Sequence, residues 1–236
     1  MRLLTPLLLK LGLYHPLRKL VFSFRNRGRS AADVFTEIYR NNRWQGSESR
    51  SGEGSSLRQT ASLVSQLPHV FRHLNVGSML DIPCGDFHWM AQVDLNDVDY
   101  TGADIVHDVI AANASQHGSV DKRFAVIDIC GGPLPRADMV FCRDCMVHLP
   151  FPMLAQAIAQ IRASGATYLM ATTFPATSEN RDIALGDFRP LNLQRPPFNF
   201  PKPIEVIEEN CTEGEGAHAD KSMGIWLVAD LPMLQL

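Results

Sequence analysis

Five short apolar segments, separated by turns and helical patterns, dominate the middle of the sequence. They cover residues 78–82, 100–104, 124–128, 139–142 and 168–172. Three of them carry an aspartate at their carboxyl end: Asp81, Asp104 and Asp128. Strands that alternate with helices predict a doubly wound, mainly parallel α/β sheet, and such sheets bind ligands at the carboxyl ends of their strands. The three aspartates are therefore expected at a ligand site.

Two further strands are predicted near the carboxyl terminus. Residues 204–211 and 223–231 have strand-like composition, and the connection between them, 212–222, contains glycine. This arrangement predicts an antiparallel hairpin that completes a seven-stranded sheet.

Helical periodicity predicts helices that cover the sheet. Ser30 and Asp33 form a capping-box pattern, so one helix is expected to begin there. Apolar residues at steps of three and four predict helices over 57–74 and 152–163. Pro68 is expected to kink or split the first of these two helices.

The formal charge of −3 hides an uneven distribution of charged side chains. Residues 1–30 hold seven basic side chains and no acidic one, so the other 206 residues hold 15 basic and 25 acidic ones, or −10. A chain with net negative charge is not expected to bind nucleic acid. Leucines at helical spacing also make the amino-terminal arm amphipathic, which predicts packing on the domain or contact with a membrane surface. These leucines are Leu4, Leu7, Leu8 and Leu11.

The composition fits one globular domain after this arm. With 45% apolar and 20% charged residues, a chain of 236 residues can build a full core. An odd number of cysteines, five, argues against a disulfide framework and favours the cytoplasm, with peripheral membrane contact as an addition. We divide the chain into a basic arm at 1–29 and a domain at 30–236. The domain comprises helices and a Gly/Ser loop (30–74), a ligand-binding core (75–172), a substrate lid (173–203) and a terminal hairpin (204–236).

A turn with one glycine follows the first predicted strand, in the segment Met-Leu-Asp-Ile-Pro-Cys-Gly-Asp-Phe-His-Trp at 79–89. Gly85 allows a backbone conformation that other residues avoid and lets a ligand approach the main chain. A helix is expected after the turn. Dinucleotide-binding turns need three glycines, and the sequence contains no Walker A pattern, so phosphate-anchored nucleotides are disfavoured.

These residues resemble the class I S-adenosylmethionine-dependent methyltransferases. The first-strand motif of that family runs approximately acid-x-Gly-x-Gly-x-Gly, and Asp81 and Gly85 match its acid and its central glycine. Pro83 and Phe87 stand in place of the outer glycines. Asp104 then ends the second strand, where the family binds ribose, and Asp128 ends the third, where it binds adenine. The resemblance covers residues 75–175.

The resemblance implies S-adenosylmethionine as cofactor and S-adenosylhomocysteine as product. The cofactor is a sulfonium cation with an amine, a ribose diol and an adenine amine, so acceptor oxygens suit it better than phosphate-binding loops. Asp104 would accept from the ribose hydroxyls and Asp128 from the adenine amine, whereas Asp81 would orient the turn. The predicted cofactor-binding residues are Asp81, Pro83, Cys84, Gly85, Asp104, Ile105, Asp128, Ile129 and Arg143.

The segment after the fourth strand is where this family positions its substrate and any base. Methyl transfer to a hydroxyl requires removal of a proton, which His148 or Asp144 could accept, and both are predicted catalytic residues. A helix-capping role for His148 is the structural alternative. Arg143 could anchor a carboxylate or fix the loop. Cys142 and Cys145 lack the two further ligands that zinc needs, so no metal is predicted.

Two segments are predicted to recognise the acceptor. The loop at 44–55 and the stretch 180–201 supply aromatic, amide and guanidinium groups that suit a polar small molecule, such as a saccharide or glycan. The substrate-binding candidates are Trp44, Ser51, Asn180 and Arg189. The chain is thus predicted to methylate an oxygen acceptor. The alternative is a catalytically silent cofactor-binding domain that docks on a membrane or partner.

Overall fold

The computed structural model describes residues 14–26 and 28–235 of the chain. The amphipathic leucine segment predicted at residues 4–11 lies outside this part. Within the described ranges, every helix is too short or too polar to cross a lipid bilayer.

A seven-stranded sheet forms the centre of the structure, and it confirms the predicted fold class. Its spatial order is β3-β2-β1-β4-β5-β7-β6. Strands β1 to β5 run parallel to one another, whereas β7 runs antiparallel to both β5 and β6. The strands are β1 (Ser78–Asp81), β2 (Asp99–Asp104), β3 (Lys122–Val126), β4 (Met139–Cys142), β5 (Tyr168–Thr173), β6 (Glu205–Glu208) and β7 (Ser222–Leu227).

Five α-helices accompany the sheet in the described residues. They are α1 (Tyr14–Arg25), α2 (Ala31–Arg40), α3 (Leu57–His73), α4 (His107–His117) and α5 (Phe151–Ala163). The capping box that starts α2 is confirmed: the Asp33 amide donates to Ser30 Oγ at 3.1 Å, and the Ser30 amide donates to Asp33 Oδ2 at 3.2 Å. The buried face of α5 carries the predicted apolar residues Leu154, Ala157, Ile158 and Ile161.

Helix α3 runs through Pro68 without a break, so the predicted split is wrong. Proline costs an internal helix about 3 kcal/mol because it removes a backbone donor and crowds the preceding turn. The same helix buries Leu63, Leu67, Val70 and Phe71, each worth about 1.5–3 kcal/mol. Burial of this face outweighs the local penalty.

The connection between β1 and β2 contains no α-helix, which corrects the prediction of a helix after the glycine turn. Only a short 3-10 turn forms, at Met90–Gln92. Gly85 and Phe87 both have left-handed backbones, with φ of 55° and 57°, and residues in that conformation cannot continue a right-handed helix. Phe87 and Met90 are buried in the core instead.

Three strands end at least two residues before the position predicted from the sequence. Strand β3 ends at Val126, two residues before Asp128. Strand β6 ends at Glu208, and β7 gives way at Val228 to a 3-10 turn. The hairpin pairing itself is present, with Glu205 opposite Ile225 and Glu208 opposite Ser222.

The segment predicted as a lid, 173–203, forms no helix, and past β5, which ends at Thr173, it forms no strand. Many of its apolar side chains are nevertheless buried, and they extend the core on one side of the sheet. These include Phe174, Leu191, Leu193, Phe198 and Phe200. The segment is therefore packed as part of the domain, and its role towards a substrate stays a prediction.

Candidate active site

A cleft of about 1100 Å³, open to solvent, lies at the carboxyl ends of β1, β2 and β4. Every residue predicted to bind the cofactor lines it, and so do His148, Asp144, Trp44 and Ser51. The cleft is also lined by three residues of α2 that sequence reasoning missed: Ala31, Phe35 and Tyr39. The capping box indicated where α2 begins but not the cleft that this helix borders.

Asp81 lies at the end of β1 with 2% of its surface exposed. The hydroxyl of Tyr100, on the neighbouring strand β2, donates to its Oδ2 at 2.6 Å. Burial raises the pKa of Asp81 to about 7, despite this hydrogen bond. The carboxylate thus borders the cleft without a cation that fully compensates its charge.

Asp104 occupies the equivalent place at the end of β2. Its two carboxylate oxygens accept from the backbone amides of Gly85, at 3.2 Å, and Val106, at 2.9 Å. It therefore ties the glycine turn after β1 to the turn after β2. Burial raises its pKa to about 6, although both backbone hydrogen bonds favour the charged form.

Asp128 also faces the cleft, but from the loop after β3. The Cys130 amide donates to its Oδ1 at 2.8 Å, which fixes the side chain in a local turn. The three predicted aspartates thus line one cleft, because the carboxyl ends of parallel strands lie at the same edge of a sheet.

The Gly/Ser loop, residues 45–56, forms one wall of the cleft by contacting the glycine turn. Ser49 Oγ donates to Asp86 at 2.8 Å, and the Arg50 amide donates to the same carboxylate at 2.9 Å. Ser51 Oγ accepts from the Asp86 amide at 3.1 Å and lies directly against Gly85. The role of Asp86 could not be predicted from the sequence, because its partners lie more than 30 positions away along the chain.

His148 lies beside this cleft in a 3-10 turn after β4. Its Nδ1 lies 2.8 Å from the carbonyl oxygen of Asp187. A carbonyl can only accept, so Nδ1 carries the proton and Nε2 presents a lone pair. The ring stacks on Trp44 with centroids 5.1 Å apart. Burial lowers the pKa of His148, which favours the neutral imidazole.

A second cavity, of about 810 Å³, adjoins the first. Trp44, Ser51, Asp144 and His148 line both cavities, so they mark the boundary between them. The second cavity combines aromatic rings with charged side chains. Its further side chains are Glu53, Phe174, Phe188, Glu213, His218 and Lys221.

Two solved structures resemble the chain over most of its length. One is the 1,6-didemethyltoxoflavin-N1-methyltransferase of Burkholderia thailandensis, solved with 1,6-didemethyltoxoflavin and S-adenosylhomocysteine. It superposes on this chain with a TM-score of 0.56. Its sequence identity is 16%, and the match covers 82% of this chain and 85% of that one. Human N-acetylserotonin methyltransferase, solved with S-adenosylmethionine, gives a TM-score of 0.56 at 15% identity and covers 84% of this chain and 59% of that one. No family model matches the sequence, and no curated protein sequence matches it significantly.

The chain has the fold of the class I S-adenosylmethionine-dependent methyltransferases. The likeness to both structures, together with the strand order and the antiparallel last strand, decides the fold.

Arg143 lines the cleft of this methyltransferase fold, but its guanidinium is already engaged within the protein. Nη2 donates to Glu209 at 2.6 Å and to the carbonyl of Gly54 at 2.7 Å, and Nε also donates to Glu209. The guanidinium carbon lies 5.4 Å from the ring centroid of Trp89. Arg143 thus anchors a carboxylate of its own chain and fixes the Gly/Ser loop, and its predicted cofactor contact stays a prediction.

Asp144 belongs to the same network of charges, which argues against its predicted role as a base. Lys221 Nζ donates to its Oδ2 at 2.5 Å, and Arg143 Nη1 lies 3.3 Å from the same atom. Burial alone would raise the pKa of Asp144, but these two cations outweigh it and hold that pKa well below its usual range. A carboxylate that is held ionised so strongly is a poor proton acceptor.

Two predicted substrate residues, Asn180 and Arg189, are not among the described residues that line either cavity. Asn180 Nδ2 donates to the backbone carbonyls of Asn192 and Pro196, each at 2.8 Å. Arg189 is buried and donates through Nη1 to the carbonyls of Met146 and Val147. Asn180 thus braces the 173–203 segment, and Arg189 ties that segment to the turn that carries His148.

Proposed function

We propose that this protein transfers a methyl group from S-adenosylmethionine to a hydroxyl oxygen of a small-molecule acceptor. The observation that carries the proposal is the meeting of two cavities at His148. The first cavity collects three aspartates at the carboxyl edge of the sheet, and the second combines aromatic and polar side chains.

The first cavity fits a ligand that carries positive charge and several donor groups. Asp81 and Asp104 are buried, and their raised pKa values, about 7 and about 6, indicate that the surrounding protein does not offset their charge. A ligand with an amine and a sulfonium centre would offset it. When bound, S-adenosylmethionine supplies an activated methyl group. In this proposal Asp104 accepts from its ribose hydroxyls and Asp128 from its adenine amine.

In this proposal His148 receives the proton that a hydroxyl acceptor must lose. Its Nδ1 proton is held by the Asp187 carbonyl, so the free lone pair lies on Nε2. In the described residues Nε2 makes no hydrogen bond, and the ring lines both cavities. We assign His148 as general base and the cavity walls as the surfaces that align acceptor oxygen and methyl carbon.

The second cavity supports a neutral acceptor. The four carboxylates in and beside it, Asp144, Glu53, Glu209 and Glu213, lie within 4.0 Å of Lys221, Arg143 or Arg58. Neither sign of charge is therefore left in large excess to attract an ionised acceptor. Glu53 and Glu213 remain partly exposed and can accept from hydroxyls, while Phe188 offers an apolar ring. A saccharide has these features, as does any hydroxylated neutral molecule.

The cofactor assignment is tested by calorimetry with S-adenosylmethionine and S-adenosylhomocysteine. The wild-type protein should bind both at micromolar concentrations, and Asp104→Asn should weaken binding at least about tenfold because it removes the charge of a buried acceptor. Lack of binding by the wild type would refute the proposal. Formation of S-adenosylhomocysteine only in the presence of an acceptor would separate an enzyme from a silent cofactor-binding domain.

A further inference from the structure

Helix α1 presents an apolar stripe that no described part of the chain covers. Leu17, Leu20, Val21 and Phe24 are spaced i, i+3, i+4 and i+7, so they share one face of the helix. Their exposed fractions are 40%, 65%, 44% and 79%. Four of the eleven exposed large apolar side chains in the described residues therefore lie within one stretch of eight residues.

The opposite face of α1 attaches the helix to the domain. The Arg43 guanidinium lies 5.7 Å from the ring centroid of Phe22, which is half-buried. Just past the helix, Asn26 Nδ2 donates to the carbonyl of Leu185 at 2.9 Å. With one face held by these contacts, the apolar stripe points away from the domain.

The sequence that contains the stripe is basic, which complements an anionic surface. Residues 1–30 contain seven basic side chains and no acidic one, whereas the rest of the chain carries −10. An anionic surface would repel most of the domain and attract this segment alone. Basic residues beside an exposed apolar helix face are typical of helices that lie in the plane of a membrane interface.

We propose that α1 docks the protein on an anionic lipid surface through Leu17, Leu20, Val21 and Phe24. The apolar stripe enters the boundary between headgroups and acyl chains, and the basic side chains of this segment attract the lipid phosphates. The helix has 12 residues and lies along the membrane. Its attachment points, Arg43 and Leu185, are close in sequence to Trp44 and Phe188, which line the second cavity. Docking would hold that cavity near the lipid headgroups.

Co-sedimentation of the full chain with vesicles tests this inference. The protein should sediment with vesicles that contain about one third anionic phosphatidylglycerol and stay in solution with pure phosphatidylcholine, since the attraction depends on charge. Raising salt from about 0.1 M to about 1 M should release it. Leu20→Ser/Phe24→Ser should lower the partition coefficient at least about tenfold.

Matched controls make the outcome decisive. Val120→Ser/Met233→Ser also removes two apolar side chains, which are 87% and 80% exposed, but away from α1, and should leave binding unchanged. Arg18→Glu/Lys19→Glu keeps the stripe and should also abolish sedimentation. Equal binding by the wild type and Leu20→Ser/Phe24→Ser, or equal binding to both vesicle types, would overturn the proposal. So would a dimer in light scattering that the same double variant dissociates, because a second copy would then be the occupant.

Discussion

The Nδ1 atom of His148 lies 2.8 Å from the carbonyl oxygen of Asp187, and this contact decides which ring nitrogen carries the proton. Asp187 belongs to the segment after β5, 39 residues away from His148 in the chain. Two backbone hydrogen bonds also tie this segment to the His148 turn, since the Gly186 amide donates to the carbonyl of His148 and the Arg189 amide to that of Val147. The His148 ring is therefore oriented by a segment that is itself packed into the core.

His148→Ala should lower kcat at least about a hundredfold while leaving the affinity for S-adenosylhomocysteine within about twofold. The base would be lost, but the aspartates of the first cleft would remain in place. Acceptor-dependent formation of S-adenosylhomocysteine gives kcat, and calorimetry gives the affinity. An unchanged kcat would show that alignment of the acceptor is sufficient and that no base is used.

The pH dependence of kcat in the wild type should report the same imidazole. Burial lowers the pKa of His148 below 6.5, and the base works only when it is deprotonated. The rate should therefore rise with pH through a value below 6.5 and stay level above it. A rate that keeps rising beyond about pH 8 would point to another group.

Asp81→Asn should bind S-adenosylhomocysteine more weakly yet unfold at higher temperature at about pH 8. The pKa of Asp81 is raised to about 7 in the folded state, whereas an unfolded aspartate titrates near 3.9. Folding is thus penalised as pH rises from about 4 through 7, and the penalty is complete above 7. Removing the charge should raise the free energy of unfolding by about 1–3 kcal/mol at pH 8 and have little effect near pH 4.

Thermal unfolding at these two pH values checks this prediction. Asp138→Asn offers a comparison, since Asp138 accepts hydrogen bonds from Gly77 and Ser78 at the opposite ends of the strands. It should not stabilise the protein at pH 8. Equal effects of Asp81→Asn at both pH values would contradict the assignment of a raised pKa.

Glu209→Ala should lower the free energy of unfolding by roughly 3–5 kcal/mol. Glu209 is 3% exposed and accepts three hydrogen bonds from Arg143, so its removal leaves a buried guanidinium without its main partner. Glu205→Ala is the matched control in the same strand region, because Glu205 is partly exposed and its ion pair among the described residues is with His73. Its cost should stay below about 1 kcal/mol. Urea denaturation measures both values, and similar costs would contradict the prediction.

The sheet could be predicted from the sequence because strand and turn signals are local. The three strand-end aspartates follow from the order of parallel strands, and all of them line the cleft. The absence of a helix after Gly85 could not be predicted. It depends on the left-handed backbone of Phe87, and phenylalanine does not favour that conformation. The roles of Arg143 and Asp144 were also beyond reach, because their partners Glu209 and Lys221 lie 66 and 77 positions further along the chain.

That network of charges has a consequence for how the protein acquires its activity. Arg143 is held by Glu209, just beyond β6, and Asp144 by Lys221, which directly precedes β7, while Gly54 joins them from the other end of the chain. The boundary between the two cavities therefore depends on contacts of very large sequence separation, whose formation carries a large entropic cost of loop closure. We expect a refolding chain to pair β1, β2 and β3, which are close in sequence, before β7 pairs with β5 and completes the second cavity. Cofactor binding and methyl transfer should thus return at separate times during refolding.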